Sequence, residues 1–335
     1  MTTRTKIVFF VIMSLAVILV AGVFIVEQLA GYTLPTRSGE QVTIRVAAPP
    51  ELSAWVNEAA REFEDNNPQL TVNVVGLEGV EAEGRLTSRT PEEVIDAWIA
   101  EADFVRGMAG NIPYDDQGTP VAQTKLVWLA NSAYPALQDN LDWDTVHQLA
   151  VDATAWSNMG GDNFFDLALS SPDSNIEGLA TLISALAFQR QTLDLRGTSV
   201  NDEGFRAWLA EILVAIPNRN RSPQEQFSQL PLPVDAGMLL EYELSKLNEA
   251  QFIRTDPGYN LILTYPYIIR NDDVLENSAS RQGVAEQFRG HLLSDAQQQK
   301  LAGFGFSPAG EAPAGQSIQI DGDTAAALWN QAQFQ

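Results

Sequence analysis

The sequence predicts an α/β fold, and three observations lead to this prediction. A strand at Val42–Ala48 comes first, and a second strand begins at Leu70. Between them, apolar side chains from Leu52 to Phe63 recur at helical spacing. A strand, helix and strand in this order imply a right-handed crossover in a parallel sheet. The 335 residues are enough for two domains, each with its own core.

The N-terminal segment is predicted to be a transmembrane anchor. Residues 7–26 are apolar apart from one serine and one glycine, and a helix of that length spans about 30 Å, the thickness of a bilayer core. Gln28 stands where a cleavage site needs a small residue, which disfavours the alternative of a cleaved signal peptide. Arg4 and Lys6 place the short N-terminal side in the cytoplasm and the rest of the chain outside.

Composition excludes several classes of function. A net charge of -23 argues against binding to nucleic acid, whose phosphates require a basic surface. The chain has no cysteine, so disulfides, thiolate nucleophiles, thiolate metal sites and a lipid-modified cysteine are all excluded. His147 and His291 lie in predicted amphipathic helices, where a structural role is expected rather than metal binding. No catalytic residue, metal or cofactor is therefore expected.

The rest of the chain alternates predicted strands and helices. Strands are predicted at 125–131, 165–169, 234–239 and 261–270. Helices are predicted at 143–151, 176–189, 205–216, 223–230, 241–250, 279–293 and 295–302, with one more beginning at Pro91. The residues from 311 to 335 form a C-terminal tail.

The strand at 261–270 is unusual because Pro266 stands in its middle. Proline donates no hydrogen bond to a neighbouring strand, so a central position in a sheet is disfavoured. The sequence therefore predicts either an edge strand or a strand that breaks and changes direction at Pro266.

Six phrases occur in an order that resembles a known family. They lie at residues 51–75, 96–99, 167–186, 234–250, 265–267 and 292–308. In this order they are similar to the bacterial extracellular solute-binding proteins, which have the type 2 periplasmic-binding fold, and especially to the branch often joined to von Willebrand A domains. No Asp-x-Ser-x-Ser sequence is present, so the metal site of a von Willebrand A domain is not part of this chain.

The resemblance implies two α/β lobes, joined by two crossing strands, with a solute in the cleft between them. Lobe one would comprise residues 42–127 and 268–310, and lobe two residues 128–264. The hinge would lie near 125–131 and 261–270. On this basis Pro266 marks the passage between the lobes, Tyr265 lines the cleft, and 125–131 runs beside 261–270.

The resemblance favours a membrane-anchored, extracytoplasmic protein that binds a small solute without catalysis. Its partner would be the permease of an ABC importer or a protein with a von Willebrand A domain. A sensor or envelope-assembly module that kept the fold is the alternative. A surface enzyme is the third possibility, although the Gly-x-Ser-x-Gly sequence typical of a Ser-His-Asp hydrolase is absent.

Ligands of such folds bind beyond the carboxyl ends of the strands, near helix N-termini. Glu51 follows the first strand and two prolines. Prolines donate no N–H group, and the carboxylate itself interacts with the helix dipole, so an oxyanion is disfavoured there. Glu51 is either a helix-start residue or a partner for a cationic or polyol solute, and Glu101 is either exposed or a contact for a cation.

Six further residues complete the predicted ligand site. Ser174 or Asn175 caps the helix that begins at Ile176, contacts the ligand, or does both. The remaining candidates are Thr124 and Glu241, together with the aromatic residues Trp98 and Tyr265, which stack on a solute or belong to the core.

Overall fold

The computed structural model describes residues 41–78, 83–115, 117–138, 141–162, 164–172, 175–310 and 317–332. The α-helices in these ranges, in chain order, are α1 Pro50–Asn66, α2 Glu83–Leu86, α3 Asp103–Met108, α4 Trp143–Val151, α5 Ala153–Asn158, α6 Ile176–Arg190, α7 Glu203–Leu213, α8 Pro223–Phe227, α9 Ser278–Leu292, α10 Asp295–Lys300 and α11 Gly322–Ala332. Short 3-10 helices lie at Pro135–Leu137, Glu241–Lys246, Glu249–Gln251 and Leu301–Phe304.

The strands are β1 Val42–Ala48, β2 Leu70–Gly76, β3 Ala97–Ile99, β4 Thr119–Asn131, β5 Leu167–Ala168, β6 Ala236–Leu240, β7 Phe252–Thr255, β8 Ile262–Ile269 and β9 Ser307–Pro308. Hydrogen bonds join most of them in the order β2-β1-β3-β8-β4-β6-β5. Strand β1 lies between β2 and β3 and is parallel to β3, whereas β8 is antiparallel to both β3 and β4. The α/β class is therefore confirmed.

Strand β4 changes its partners halfway along its length. Its first half pairs with β8, up to Lys125 opposite Ile262. From Leu126 onward it pairs with β6, and its last residues also pair with β7. One long strand is thus shared between two groups of strands, which is the connection expected of a crossing strand.

Strand β8 is central and unbroken, so both expectations drawn from Pro266 are wrong. The residues on either side of Pro266 pair with the same half of β4, and Pro266 lies opposite Pro120. The N–H of Ala100 donates to the carbonyl of Pro266 at 3.1 Å, one residue after β3 ends. The hydrogen bonds between β8 and β3 end at this position. The N–H group that proline lacks therefore leaves no acceptor of β3 unpaired within the ladder.

The two predicted crossing stretches meet over a shorter length than expected. Lys125 lies opposite Ile262, and the N–H of Leu126 donates to the carbonyl of Leu261 at 3.2 Å. Beyond that point residues 126–130 pair with β6. Strand β4 therefore exchanges β8 for β6 as its partner near the start of β8. Residues 256–261, which connect β7 to β8, lie close to this point.

Two predicted helices have a different form. At Pro91 there is a single turn, in which the N–H groups of Glu93 and Val94 both donate to the carbonyl of Thr90. The chain then enters the sheet, since the N–H of Asp96 donates to the carbonyl of Arg45 at 2.9 Å. The helix predicted at 241–250 is instead two short 3-10 segments, which bring the chain back to β7 within a few residues.

Buried aromatic residues hold the helices against the sheet. Trp128 of β4 and Trp143 of α4 pack edge to face, with ring centroids 5.0 Å apart. The indole N–H of Trp143 donates to Ser184 of α6 at 3.0 Å, so its one polar group is satisfied. On the other side of the molecule, Phe63 of α1 packs edge to face against Phe288 of α9.

The predicted transmembrane segment at 7–26 lies outside the described residues, as does most of the tether that follows it. Within the ranges that the structure does describe, no helix has both the length and the apolar character needed to cross a bilayer.

Candidate functional site

Glu51 lies in the first turn of α1 and faces Tyr265 of β8. The hydroxyl of Tyr265 donates to Oε1 of Glu51 at 3.3 Å. Burial, reinforced by the negative charges of Glu78 and Glu243, raises the pKa of the Glu51 carboxyl to about 7. The N–H groups of Leu52 and Ser53 already donate to the carbonyl of Pro49, so the start of this helix is a poor anion site.

Three aromatic rings lie beside Glu51. Tyr242 stacks on Phe306 with ring centroids 4.9 Å apart and an interplanar angle of 7°. Tyr265 meets the same Phe306 edge to face at 5.5 Å. The N–H of Tyr242 donates to Oγ1 of Thr124 at 3.3 Å, which fixes the start of the 3-10 helix against β4. Gly305 allows this close approach, because a Cβ there would lie 2.6 Å from the carbonyl oxygen of Tyr242.

Glu177 and Glu243 form a buried pair beside these rings. Their carboxyl groups lie within hydrogen-bonding range of each other, and Glu177 accepts a hydrogen bond from the hydroxyl of Ser170. The two residues are only 6% and 7% exposed. Burial raises the pKa of both carboxyls, and the charge of Glu243 raises that of Glu177 further. A hydrogen bond between two carboxyls requires a proton on one of them.

Four carboxylates surround Tyr242, and we name them the carboxylate cluster: Glu51, Glu101, Glu177 and Glu243. The negative charges of all four contribute to a raised pKa of the Tyr242 phenol, after the larger effect of burial. The charges of Glu51 and Glu101 also raise the pKa of the neighbouring Tyr265 phenol, again after the larger effect of burial. In the part of the chain that the structure describes, no three His, Cys, Asp or Glu residues are arranged to hold a metal ion.

Several predicted residues lie around this cluster, and others lie apart from it. Glu51, Glu101, Thr124 and Tyr265 come together at the cluster. Tyr265 is fully buried, and so is Trp98, which is 2% exposed and lies in the middle of β3. Glu241 is engaged by the guanidinium of Arg254. Ser174 lies outside the described residues.

Sequence reasoning missed Glu177, Glu243, Ser170 and Phe306. Glu177 is the second residue of α6, where an acidic side chain is expected simply to interact with the helix dipole. Glu243 follows the predicted candidate Glu241 by two residues. Their closeness to strand ends was the available signal, but nothing local distinguishes them from surface carboxylates.

Asn175 caps α6, as predicted for Ser174 or Asn175. Its Oδ1 accepts a hydrogen bond from the N–H of Gly178 at 2.8 Å, and its side chain is exposed. Asn175→Ala should therefore lower the free energy of unfolding by about 1 kcal/mol. Chemical denaturation of the full-length protein measures this effect. Asn175→Asp keeps an acceptor oxygen and should restore most of the lost stability, whereas equal losses in both variants would contradict a capping role.

An apolar pocket of about 520 Å³, including its opening, lies between α6 and α7 and adjoins Ser170. Thr181 of α6 lines it, and the Oγ1 of this residue is buried with no hydrogen-bond partner among the described residues. Thr181→Val should raise the free energy of unfolding by about 1 kcal/mol, because valine has nearly the same shape and no hydroxyl to desolvate. Thermal or chemical denaturation checks the direction.

Ser184 is the matched control for Thr181, since it is buried on the same helix but satisfied. It accepts from Trp143 and donates to the carbonyl of Tyr259 at 2.7 Å. Ser184→Ala should be destabilising by about 1–3 kcal/mol, because it leaves two buried groups unpaired. A loss of stability in Thr181→Val comparable to that in Ser184→Ala would show that the Thr181 hydroxyl is satisfied after all.

Comparison with solved structures shows how widely this fold occurs. The ferric binding protein from Campylobacter jejuni superposes with a TM-score of 0.61 at 15% identity, covering 88% of this chain and 97% of that one. The maltose-bound MalE3 of T. maritima gives 0.58 at 10% identity, covering 88% and 99%. A periplasmic thiamin binding protein gives 0.58 at 13% identity, covering 90% and 99%. Such low identities establish the fold alone, which is the two-lobed α/β fold expected from the resemblance.

The family follows from the sequence match. A search of curated protein sequences gives no match. The model of the family described as bacterial extracellular solute-binding protein matches residues 44–307, which is most of the chain and includes every member of the carboxylate cluster. This chain therefore belongs to the bacterial extracellular solute-binding proteins.

Proposed function

We propose that the protein binds a small solute between its two lobes, outside the cytoplasm, and performs no catalysis. The lobes are those expected from the sequence, residues 42–127 with 268–310 and residues 128–264. The observation that carries the proposal is the carboxylate cluster. Its members come from both proposed lobes, with Glu51 and Glu101 from lobe one and Glu177 and Glu243 from lobe two. Polar groups from two lobes that are buried together are typical of a ligand cleft.

The second part of the proposal is the role of the lobes in transport. Two connecting segments allow the lobes to open and close as rigid bodies around a ligand. The strand β4, which changes its partners at Lys125 and Leu126, supplies one of these segments. The second joins β7 to β8. The family supports an ABC importer as the partner that receives the solute from the closed form.

Anchoring to the membrane is the third part of the proposal. It is supported by the apolar run at 7–26 and by Arg4 and Lys6 before it, which favour a cytoplasmic N-terminus. An anchor would keep the binding domain near its permease. Partition of the full-length protein into the membrane fraction, resistant to alkaline carbonate and lost when residues 1–30 are removed, tests this part.

A thermal-shift screen of the full-length protein tests solute binding. A solute at 100 times its dissociation constant should stabilise the folded state by about 2.7 kcal/mol. The panel contains sugars, amino acids, polyamines, metal ions and oxyanions. At least one class should raise the melting temperature by several degrees. A melting temperature that no class moves would overturn solute binding.

That negative result would favour the second candidate, a sensor or assembly module that kept the fold. One observation supports this alternative. At the start of α1, Pro49 and Pro50 stand in place of free N–H donors, and the N–H groups of Leu52 and Ser53 already donate to the carbonyl of Pro49. A von Willebrand A domain protein is then a candidate partner, and co-purification with the full-length protein tests it.

A further inference from the structure

The carboxylate cluster concentrates negative charge in a place that excludes water. Glu101, Glu177 and Glu243 are each less than 9% exposed, at 8%, 6% and 7%. Glu51 is partly buried and is influenced by the charge of Glu243. Buried charges of one sign repel each other strongly, because the protein interior screens them far less than water does. Such a group is stable only with protons or with a positive partner.

One oxygen of each carboxyl in the Glu177–Glu243 pair has no donor among the described residues. Oε1 of Glu177 and Oε2 of Glu243 are buried, and within the described residues neither accepts a hydrogen bond from an N–H or a hydroxyl group. The hydroxyl of Ser170 donates to the other oxygen of Glu177, and the N–H of Leu240 lowers the pKa of both carboxyls. Two neighbouring carboxyl groups, each with a buried oxygen that has no donor, can share a proton or accept donors from a ligand.

Among the described residues, one cation acts on the pair of Glu177 and Glu243, and it acts on Glu243 alone. Lys246 is exposed and lies over the ring of Tyr242, with Nζ 5.2 Å from the ring centroid, and it weakly favours the charged form of Glu243. Arg254 is engaged by Glu241 on the neighbouring surface. The pKa of Glu177 is set by burial, by the neighbouring carboxyl of Glu243, and by hydrogen bonds from Ser170 and a backbone N–H. No cation is among these leading causes.

The aromatic rings add a second feature that suits a cation. Tyr242, Phe306 and Tyr265 form one contiguous group, joined by a stacked and an edge-to-face contact. The faces of aromatic rings attract ammonium and guanidinium groups. Carboxylates beside aromatic rings favour an organic cation, whose N–H groups bond the oxygens.

A bare metal ion fits these residues less well. Calcium requires six to eight oxygen ligands close to the ion, and transition metals need a defined set of donors. No three acidic or histidine side chains have that arrangement in the part of the chain that the structure describes.

We propose that the solute is an organic cation, and that its ammonium or guanidinium group binds between Glu177 and Glu243 in place of the proton they share. This inference rests on the proposed function and adds the chemical class of the solute. Binding then releases a proton to solvent, so the apparent affinity increases as the pH rises. The titratable groups that act on the pair or respond to its charge are Glu51, Tyr242 and Lys246, and Glu101 acts on the neighbouring phenol of Tyr242.

Isothermal titration of the full-length protein tests the inference without any mutation. The probes are 1,4-diaminobutane, spermidine and arginine, with 1,4-butanediol as the uncharged analogue and sulfate as the anion. At least one cation should bind, whereas the diol and sulfate should not. Titration in phosphate and in Tris at pH 7 should give different heats, because these buffers take up a released proton with different enthalpies. Affinity should be higher at pH 8 than at pH 6, because the release of one proton raises it by up to about tenfold per pH unit.

Glu177→Gln then locates the site. The loss of one charged hydrogen-bond acceptor should weaken binding of the cation by about tenfold to a hundredfold and abolish the proton release. Because glutamine is uncharged, this variant should fold at pH 8 at least as stably as the unaltered protein. Glu211→Gln is the matched control. It makes the same charge change at a residue that pairs with His147 on the surface, and it should leave the affinity unchanged.

The outcomes separate this inference from the proposed function. Binding of a sugar or an anion, with no cation bound, would overturn the inference and leave solute binding intact. Binding of no solute from the wider panel would overturn both. Binding of a cation that is equally tight in Glu177→Gln, or that releases no proton, would overturn the assignment of the site.

Discussion

Replacing Asp96 with alanine should lower the free energy of unfolding by about 3–5 kcal/mol. Asp96 is 6% exposed, and both of its oxygens accept from the guanidinium of Arg281 at 2.6 Å. Oδ2 also accepts from the N–H of Arg45 in β1 at 2.7 Å. One carboxylate therefore ties β1 and the entry to β3 to α9, and its removal leaves a largely buried guanidinium unpaired. Chemical denaturation of the full-length protein measures the loss.

Two further variants distinguish loss of the ion pair from loss of a side chain. Replacing both partners, Asp96→Ala with Arg281→Met, removes the unpaired charge and should be less destabilising than Asp96→Ala alone. Asp194→Ala is the matched control, because Asp194 pairs with Arg196 at 2.8 Å where both side chains are more than half exposed. That change should alter stability little. Equal effects at Asp96 and Asp194 would contradict the argument from burial.

Much of the fold could be predicted because local pattern and tertiary structure agree in lobe one. The spacing from Leu52 to Phe63 predicts α1, and Val42–Ala48 is found as predicted. The first half of β4 was missed, because residues 119–124 are mostly polar or small and include Pro120. That half forms a strand since β8 supplies its hydrogen-bond partners, and such pairing between distant segments leaves no local signal.

Three of the predicted site residues come together because strand ends determine their position, and their role in binding stays a prediction. Glu51, Glu101 and Thr124 lie at or beyond the carboxyl ends of strands in the fold, or where a strand crosses, and topology brings them together. Glu177 and Glu243 could not be paired in the same way. They are 66 positions apart in the sequence (243 minus 177), in a helix and a 3-10 helix. An acidic residue in the first turn of a helix is ordinary, so only tertiary structure shows that these two are buried together.

The same carboxylates should make the protein less stable as the pH rises from 5 to 8. A carboxyl whose pKa is higher in the folded state binds its proton more tightly there. Folding is therefore favoured below the unfolded pKa, and this advantage is lost as the pH rises through the folded pKa. For Glu51 the folded pKa of about 7 exceeds the usual 4.5. Its contribution is at most about 3 kcal/mol, lost mainly between pH 4.5 and 7. Glu177 and Glu243 act in the same direction.

Other groups oppose this trend only weakly in that range. Burial lowers the pKa of His291 below 6.5, so His291 favours folding as the pH rises. Carboxyls with lowered pKa values, such as Asp202 and Asp321, lose their stabilising effect only below about pH 4. Urea denaturation of the full-length protein at pH 5, 6, 7 and 8 should therefore give free energies of unfolding that fall with pH.

Variants with a neutral amide in place of a carboxyl identify which residues cause the fall in stability with pH. Glu51→Gln and Glu177→Gln should each flatten the dependence on pH and raise stability at pH 8, because each removes one charge from the carboxylate cluster. Asp194→Asn, at the surface beside Arg196, should leave the slope as it is, because the Arg196 guanidinium lowers the pKa of Asp194 to about 2, below the range of the measurement. A slope of the opposite sign, or one that survives in both cluster variants, would mean that these carboxylates are hydrated and charged at neutral pH. In that case the cluster would have no proton to exchange for a cation, and a test of stability would count against the proposed class of solute.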